Sequence, residues 1–189
     1  MAAPQSKTIR DLSGKWILHK TLSDDPDAVL ALQGIGWLTR KAVGLATVTQ
    51  HLRCYTAPAE DGSSGEVTHR VLDWQFRPHS DWLFGDLQGK SRFNTLAAIR
   101  EENKGKGKIE EDAKFLTEGW LPETEEGEVV ESFVDNEKAG WTGWQVWGFA
   151  DVEVNGKKER WLCRRFAVRK GDKVVKVRLC YEWNGDLDA

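Results

Sequence analysis

Between Lys173 and Trp183 the chain changes character at every step. Val175, Val177, Leu179, Tyr181 and Trp183 hold one parity, while Lys176, Arg178, Cys180 and Glu182 hold the other. A period of two fits a β-strand whose faces meet different surroundings, one buried and one wet. A second run, Lys158–Arg169, precedes it across Lys170-Gly171-Asp172, and Asn155-Gly156 ahead of that is a tight hairpin signal. Two hairpins in succession commit the end of the chain to an antiparallel sheet.

The remaining segments extend this pattern. Gly14–Thr21 reads as a first strand, with Trp16 and Leu18 on one face. A helical pair follows: Ser23-Asp24-Asp25-Pro26 opens a helix that Gly34 and Gly36 end, and Trp37–Val43 forms a second, closed by Gly44. Leu45–Tyr55 is β-rich, Pro58–Gly65 is a turn-forming segment, and Val67–Arg77 alternates with Leu72, Trp74 and Phe76 on one face until Pro78 stops it. Trp82–Phe93 is a further strand, which Gly85 and Gly89 would bend as a barrel requires. Thr95–Glu118 breaks the pattern and reads as a short helix, a flexible charged loop and a return. Glu123–Glu128 is acidic and exposed, and Gly127–Val134 is a strand. Trp141, Trp144 and Trp147, three apart, would line one side of a helical turn or alternate faces on a strand; a turn feeding a strand at Gln145–Val154 is favoured. Neither a repeat nor a linker divides the chain. The expectation is one β-barrel domain over 1–189, with a flexible tail at 1–11 and a charged insertion at 95–126.

Composition excludes several function classes. A net charge of −3 and an isoelectric point near 5.9 leave no basic footprint for nucleic acid. The basic stretch Lys157–Arg178 alternates with apolar residues and reads as a solvated hairpin face. No apolar run approaches the roughly 20 residues of a membrane span, and the first residues carry no apolar signal core. The three cysteines, Cys54, Cys163 and Cys180, are odd in number and fit no zinc spacing. A reducing, cytoplasmic setting is expected, with no metal and no cofactor. Ten tryptophans among 189 residues are more than a core readily absorbs. They imply an aromatic-lined cavity or an adhesive surface.

Three motifs together resemble the intracellular fatty-acid-binding proteins, within the calycins that include the lipocalins. Gly14-Lys15-Trp16 opens the first strand, Ala31-Leu32-Gln33-Gly34-Ile35-Gly36-Trp37-Leu38-Thr39-Arg40-Lys41 follows as a helical lid, and Val177-Arg178-Leu179-Cys180-Tyr181-Glu182 lies in the last strand. The likeness is close over roughly 13–55 and looser over 158–183, while 95–130 is longer than that family's connections. The chain also resembles small fungal lipocalin-like proteins, some of which act as cofactor-free cyclases. The resemblance implies an antiparallel up-and-down calycin β-barrel with a helix-turn-helix lid. In fatty-acid-binding proteins the last strand presents Arg-x-Tyr to a carboxylate. Here two residues separate Arg178 from Tyr181, which puts them on opposite faces unless a bulge resets the register. The alternative calycin role for Arg178 is to pack across the Gly-x-Trp indole.

A barrel of this size holds one small ligand, and its walls are every second side chain. Candidate ligand contacts are Trp37 on the lid, then Leu72, Trp74, Phe76, Trp82, Phe84, Trp144, Trp161, Arg178, Tyr181 and Trp183. Ordinary core packing explains the aromatic ones equally well. If the chain is an enzyme, Asp73, His79 and Tyr181 are the acid–base candidates; an inward Asp73 would have its pKa raised by burial, and His79 with Asp81 would form a pair at the barrel mouth. A turn with a capping Asp accounts for that pair equally well. Two functions follow: binding of a bulky hydrophobic small molecule, or cofactor-independent cyclisation or isomerisation of one held folded in the barrel.

Overall fold

The computed structural model describes residues 1–55 and 71–187. Alternation becomes sheet almost wherever it was clean. The strands are β1 (Gly14–Leu18), β2 (Thr49–Leu52), β3 (Arg77–Asp81), β4 (Gly85–Asn94), β5 (Val129–Asn136), β6 (Trp141–Val154), β7 (Lys157–Lys170) and β8 (Lys173–Trp183). The helices are α1 (Asp27–Leu32), α2 (Trp37–Leu45), α3 (Leu96–Asn103), α4 (Lys108–Leu116) and α5 (Pro122–Glu125). Asn155 and Gly156 both take positive φ, 52° and 75°, as a two-residue hairpin turn of this type demands.

One eight-stranded antiparallel sheet results, in the order β2-β1-β8-β7-β6-β5-β4-β3. Consecutive strands lie side by side except β2 and β3, and β1 joins β8. Around a cylinder the pairing that would complete this order is β2 with β3, and among the described residues these two are the sheet's ends. The sheet is a curled half-barrel. It curls towards the face carrying Trp16, Trp147 and Tyr181. Trp147 on β6 and Tyr181 on β8 stack at 5.3 Å. Yet β7 lies between them, and flat spacing would hold their strands about 9–10 Å apart. We call this the inner face.

Two cores follow from the two parities. The inner core joins Trp16, Trp141, Trp147, Phe149, Leu162, Val168, Leu179 and Tyr181 to Val29 of α1. The outer core joins Trp144, Val146, Trp161, Cys163 and Cys180 to Leu96 and Ile99 of α3, Leu116 of α4, and Trp120. Trp141 and Trp147 therefore face inward and Trp144 outward, because all three lie on one strand that begins at Trp141 rather than at Gln145.

Several sequence expectations are corrected. Residues 71–76 form no strand. Trp74 sits at φ +61°, its N–H donates to Ser91 O at 2.9 Å, and the Asp73 carboxylate clasps Arg77. A left-handed residue cannot continue a strand, so Leu72, Trp74 and Phe76 do not share a strand face. Residues 67–70 and the turn expected at Pro58–Gly65 lie outside the described residues. Pro78 does not stop a strand but lies within β3, opposite Gln88. An edge strand tolerates it because one side needs no donor. β1 ends at Leu18, since the chain bulges before Asp24 N–H reaches Arg178 O at 2.9 Å. The β-rich reading of Leu45–Tyr55 reduces to β2, as Leu45 and Gly44 complete α2.

The supposed charged loop within 95–126 is helical. Leu96, Ile99 and Leu116 are fully buried against the outer core. Asp112 of α4, 5% exposed, pairs with Arg169 at 2.7 Å and Lys176 at 3.0 Å. The charges of this segment are the outward faces of amphipathic helices, not a loop. The tail at 1–11 is likewise tied down: Ala3 is buried, its N–H donates to Arg160 O at 2.7 Å, and Arg160 donates to Pro4 O and Lys7 O. No helix among the described residues is long and apolar enough to cross a membrane.

Candidate functional site

On β7 the inward parity reads Arg160, Leu162, Arg164, Phe166, Val168. Arg160 is engaged at the end held by the N-terminal segment, where it covers Phe149 at 3.5 Å and pairs with Glu123. Arg164 has no such partner. Its guanidinium lies 5.0 Å from the Trp147 ring and 5.2 Å from the Phe166 ring. Its Nε is buried without a hydrogen-bond partner, and no carboxylate pairs with it among the described residues. Two aromatic faces stabilise a cation without neutralising it.

Around Arg164 the inner face is incompletely covered. Val130 and Val134 of β5, Arg164 and Phe166 of β7, and Val175 of β8 are only half-buried. Solid packing would bury side chains of central strands on the concave side. The floor beside them is aromatic. The Phe166 ring occupies the space a Cβ at Gly143 would need, 2.7 Å away at its nearest carbon, and the Trp141 ring borders the same point at 3.6 Å. Phe84 meets Trp141 edge-on at 5.6 Å. The Nε1 of Trp141, a residue 3% exposed, has no acceptor. Polar groups elsewhere on the floor are satisfied: Trp147 Nε1 donates to Gln145 Oε1 at 3.2 Å, and the hydroxyls of Ser91 and Ser132 bond at 2.8 Å. The arrangement is a partly covered apolar trough over an aromatic floor, with the Arg164 guanidinium beside it, which can hold an apolar molecule.

The sequence-based candidates divide sharply. Tyr181, Trp183 and Phe84 lie on the inner side. Trp183 packs over Gly14 and meets Trp16 edge-on at 4.9 Å, at the end away from α1. Trp144, Trp161 and Arg178 lie on the outer face. Trp144 Nε1 donates to the buried carboxylate of Glu131, and Trp161 meets His19 edge-on. Arg178 therefore reaches neither Tyr181's face nor the Trp16 indole, as its parity on an unbroken β8 requires. Trp74 and Phe76 cover the Lys90 ammonium at 4.3 and 4.6 Å on the same side as Phe133. Leu72 is half-buried in the irregular segment. Trp37 and Trp82 are 63% and 83% exposed.

Asp73 is exposed, and its two bonds of 2.6 Å to Arg77 hold its pKa down to about 2. The burial that would have raised it is absent. His79 Nε2 lies 3.8 Å from Asp81 Oδ2, and its ring lines an open hollow of about 500 Å³ that also borders Asp86, Asp135 and Glu137. A second open hollow of about 440 Å³ lies among charged side chains of α4 and α5. Neither hollow is the expected aromatic enclosure. On the outer face Cys163 and Cys180 face each other at 3.5 Å as free thiols, and hydrogen bonding to Cys180 with burial pushes the Cys163 thiol well up. No group of three His, Cys, Asp or Glu suited to a metal ion occurs among the described residues.

Arg164, Trp147, Phe166 and Trp141 are not among the sequence-based ligand contacts, although the spacing of Trp141 and Trp147 drew notice. A signal existed for the first: Arg164 interrupts the apolar parity of Leu162, Phe166 and Val168.

No protein-family model matches the chain. Two curated proteins resemble it from end to end. "Probable pericyclase scpY" of Mollisia scopiformis is 27% identical over 202 aligned positions, covering 100% of this chain and 97% of its own. "Pericyclase pydY" of an Acremonium species is 24% identical, covering 98% of both chains. Among solved structures, the REP1-NXSQ fatty acid transporter aligns over 94% of this chain and 98% of its own at 16% identity, with a TM-score of 0.45. That score is too loose to carry either fold or function.

Proposed function

We propose that this chain binds a bulky, unsaturated hydrophobic molecule on the inner face and closes it into a ring as a pericyclase-type cyclase of a fungal natural-product pathway. The observation that carries this reading is the end-to-end likeness to two proteins named as pericyclases. The half-exposed aromatic trough is where the geometry allows the chemistry. A concerted ring closure converts π bonds into σ bonds within one molecule, with no atom gained or lost. It asks the protein for a folded substrate conformation rather than a nucleophile, and orientation alone supplies several kcal/mol, about 7–11 in the best intramolecular cases. Phe166 and Phe84, with Val130, Val134 and Val175, offer the trough's accessible surface, backed by the buried Trp147, Tyr181 and Trp141. Among the earlier acid–base candidates only Tyr181 stands here. Asp73 and His79 lie elsewhere, and a concerted closure needs neither. The free cysteines fit a cytoplasmic setting.

The test is incubation with linear polyenes carrying a diene and a separate alkene, followed by chromatography for isomers of unchanged mass. The wild type should form one cyclic isomer faster than buffer does. Phe166→Ala should slow formation at least roughly tenfold through lost orientation, with little change in the urea midpoint because Phe166 is half-exposed. Stoichiometric binding of the polyenes without any conversion would leave a carrier of hydrophobic molecules, the second reading that the trough supports. Absence of both binding and conversion would overturn the assignment.

A further inference from the structure

Cys163 and Cys180 form one rung of the β7–β8 ladder, direct partners in register, with both side chains buried in the outer core. The Cys163 thiol donates to the Cys180 sulfur at 3.5 Å, and the Cys180 thiol donates to Leu22 O at 3.2 Å. Opposed residues of an antiparallel pair hold their Cβ atoms about 4.5–5.5 Å apart, close to the reach of a disulfide. The next rung on that face is Arg165 with Arg178. Arg165 donates to Phe115 O at 3.0 Å, and neither guanidinium is in an ion pair among the described residues. Cations beside a thiol favour its thiolate. The hydrogen bond from Cys163, with the charges of Arg178 and Arg165, pulls the Cys180 thiol below its ordinary value despite burial, while Cys163 is pushed up. The pair is therefore unsymmetrical. The chain beside Cys180 is Thr21–Asp25, which forms neither helix nor strand and is half-buried or exposed throughout. Ser23 Oγ accepts from Cys180 N at 2.8 Å, and Asp24 Oδ2 from Arg178 N at 2.6 Å. Irregular surface segments of this kind open locally at low cost, and a molecule as small as hydrogen peroxide needs little room.

We propose that Cys163 and Cys180 are a peroxide-sensitive dithiol, with Cys180 as the attacking sulfur and Cys163 as the resolving one, and that their oxidation loosens the stem of α1. The Cys180 thiolate attacks one oxygen of hydrogen peroxide. The O–O bond breaks, a sulfenic acid forms, and the other oxygen leaves as hydroxide, which takes up the proton lost by the thiol. The Cys163 thiol then attacks the Cys180 sulfur, forming the S–S bond and releasing a second water. Two thiols are oxidised, one peroxide is reduced, and two waters result. Arg178 and Arg165 stabilise the thiolate and the charge on the departing oxygen. Once oxidised, Cys180 has no proton to give Leu22 O, so Thr21–Asp25 loses a tie to β8 just ahead of α1, the helix that brings Val29 into the inner core. In a reducing compartment such a disulfide is transient and reset by thiols. The inference is independent of what the inner face binds.

The test uses the full chain carrying Cys54→Ser, which leaves the pair as the only thiols. Cys54 is exposed, and serine keeps an acceptor for the Leu12 N–H that its sulfur receives at 3.4 Å. Hydrogen peroxide is added, remaining thiols are alkylated in denaturant, and tryptic peptides are weighed. The peptides of Cys163 and Cys180 should appear joined, lighter by two hydrogens and separable by dithiothreitol. The link should form roughly tenfold faster in the native protein than in urea, where register and flanking charges are lost. With Cys163→Ser added, dimedone should trap a sulfenic acid on Cys180; with Cys180→Ser added, Cys163 should stay unlabelled. Arg178→Gln should slow the link several-fold and move its pH profile upward, which a merely structural arginine would not do. Hydrogen exchange of Thr21–Asp25 should quicken on oxidation. A link that forms no faster than in urea, or dimedone on Cys163 in place of Cys180, overturns the dithiol. Unchanged exchange in Thr21–Asp25 overturns its hold on α1.

Discussion

Asp73 shows how one contact redirects a functional reading. A carboxylate between two apolar neighbours had the makings of a buried acid or base, provided the segment was a strand. Arg77, four residues on, clasps it in a bidentate pair instead, and the local turn puts Trp74 in a left-handed conformation. The pair lowers the Asp73 pKa to about 2. A depressed carboxyl contributes its stabilisation above the unfolded pKa, near 4, and loses it as pH falls towards 2. NMR titration of the Asp73 carboxyl should give a midpoint near 2, and Asp73→Asn should leave the pH profile of any ring closure unchanged above pH 4. An acid limb that disappears in Asp73→Asn would return this residue to the catalytic list. Arg164 is the converse case. Its alternation with Leu162 and Phe166 was legible as an anomaly, but only the fold shows that no carboxylate comes to meet it.

At the scale of elements, legibility followed periodicity. β7, β8 and the second half of β6 were readable because Gly and Asn mark their turns and their faces differ cleanly, whereas the start of β6 at Trp141 was hidden by the three-residue spacing of its tryptophans. β3 was not, since its turn chemistry depends on a side-chain clasp and its proline is acceptable only at an edge. The insertion was misread for a different reason. Its charge density masks a stripe of Leu96, Ile99, Ala113 and Leu116, which packs on the outer core. α3 opens with a Thr95 side chain accepting from Ala98 N–H at 3.1 Å, a cap that the sequence displays. The packing makes the insertion part of the structure rather than an appendage. Leu116→Ala should destabilise the fold by about 2–5 kcal/mol, the usual cost of emptying a fully buried leucine site. Chemical denaturation should show that loss in one transition followed both by tryptophan emission and by far-ultraviolet ellipticity. If α3 and α4 melt first with the sheet intact, the insertion is a separate unit.

For the whole molecule, the abundance of tryptophan resolves into a division of labour. Trp16, Trp141, Trp147 and Trp183 lie on the inner side, Trp120, Trp144 and Trp161 in the outer core, and Trp37 and Trp82 in solvent. Composition alone pointed to an aromatic cavity, but much of that aromatic surface serves a second core created by the helical insertion, which no count could reveal. The division makes ligand location measurable. Energy transfer and contact quenching fall steeply with distance, so a molecule seated beside Arg164 should quench the indole stacked on Tyr181 far more than indoles across the sheet. Titration of the wild type with an apolar quencher should therefore lose much of its amplitude in Trp147→Phe and little in Trp144→Phe or Trp161→Phe. Both outer residues are well buried, and their replacement should lower stability by about 1–3 kcal/mol. That cost appears in the urea midpoint and leaves the quenching amplitude per folded chain intact. Amplitude that follows Trp144 or Trp161 instead would put the ligand on the helix-covered side, and the curled inner face would then be an ordinary core with an unexplained arginine.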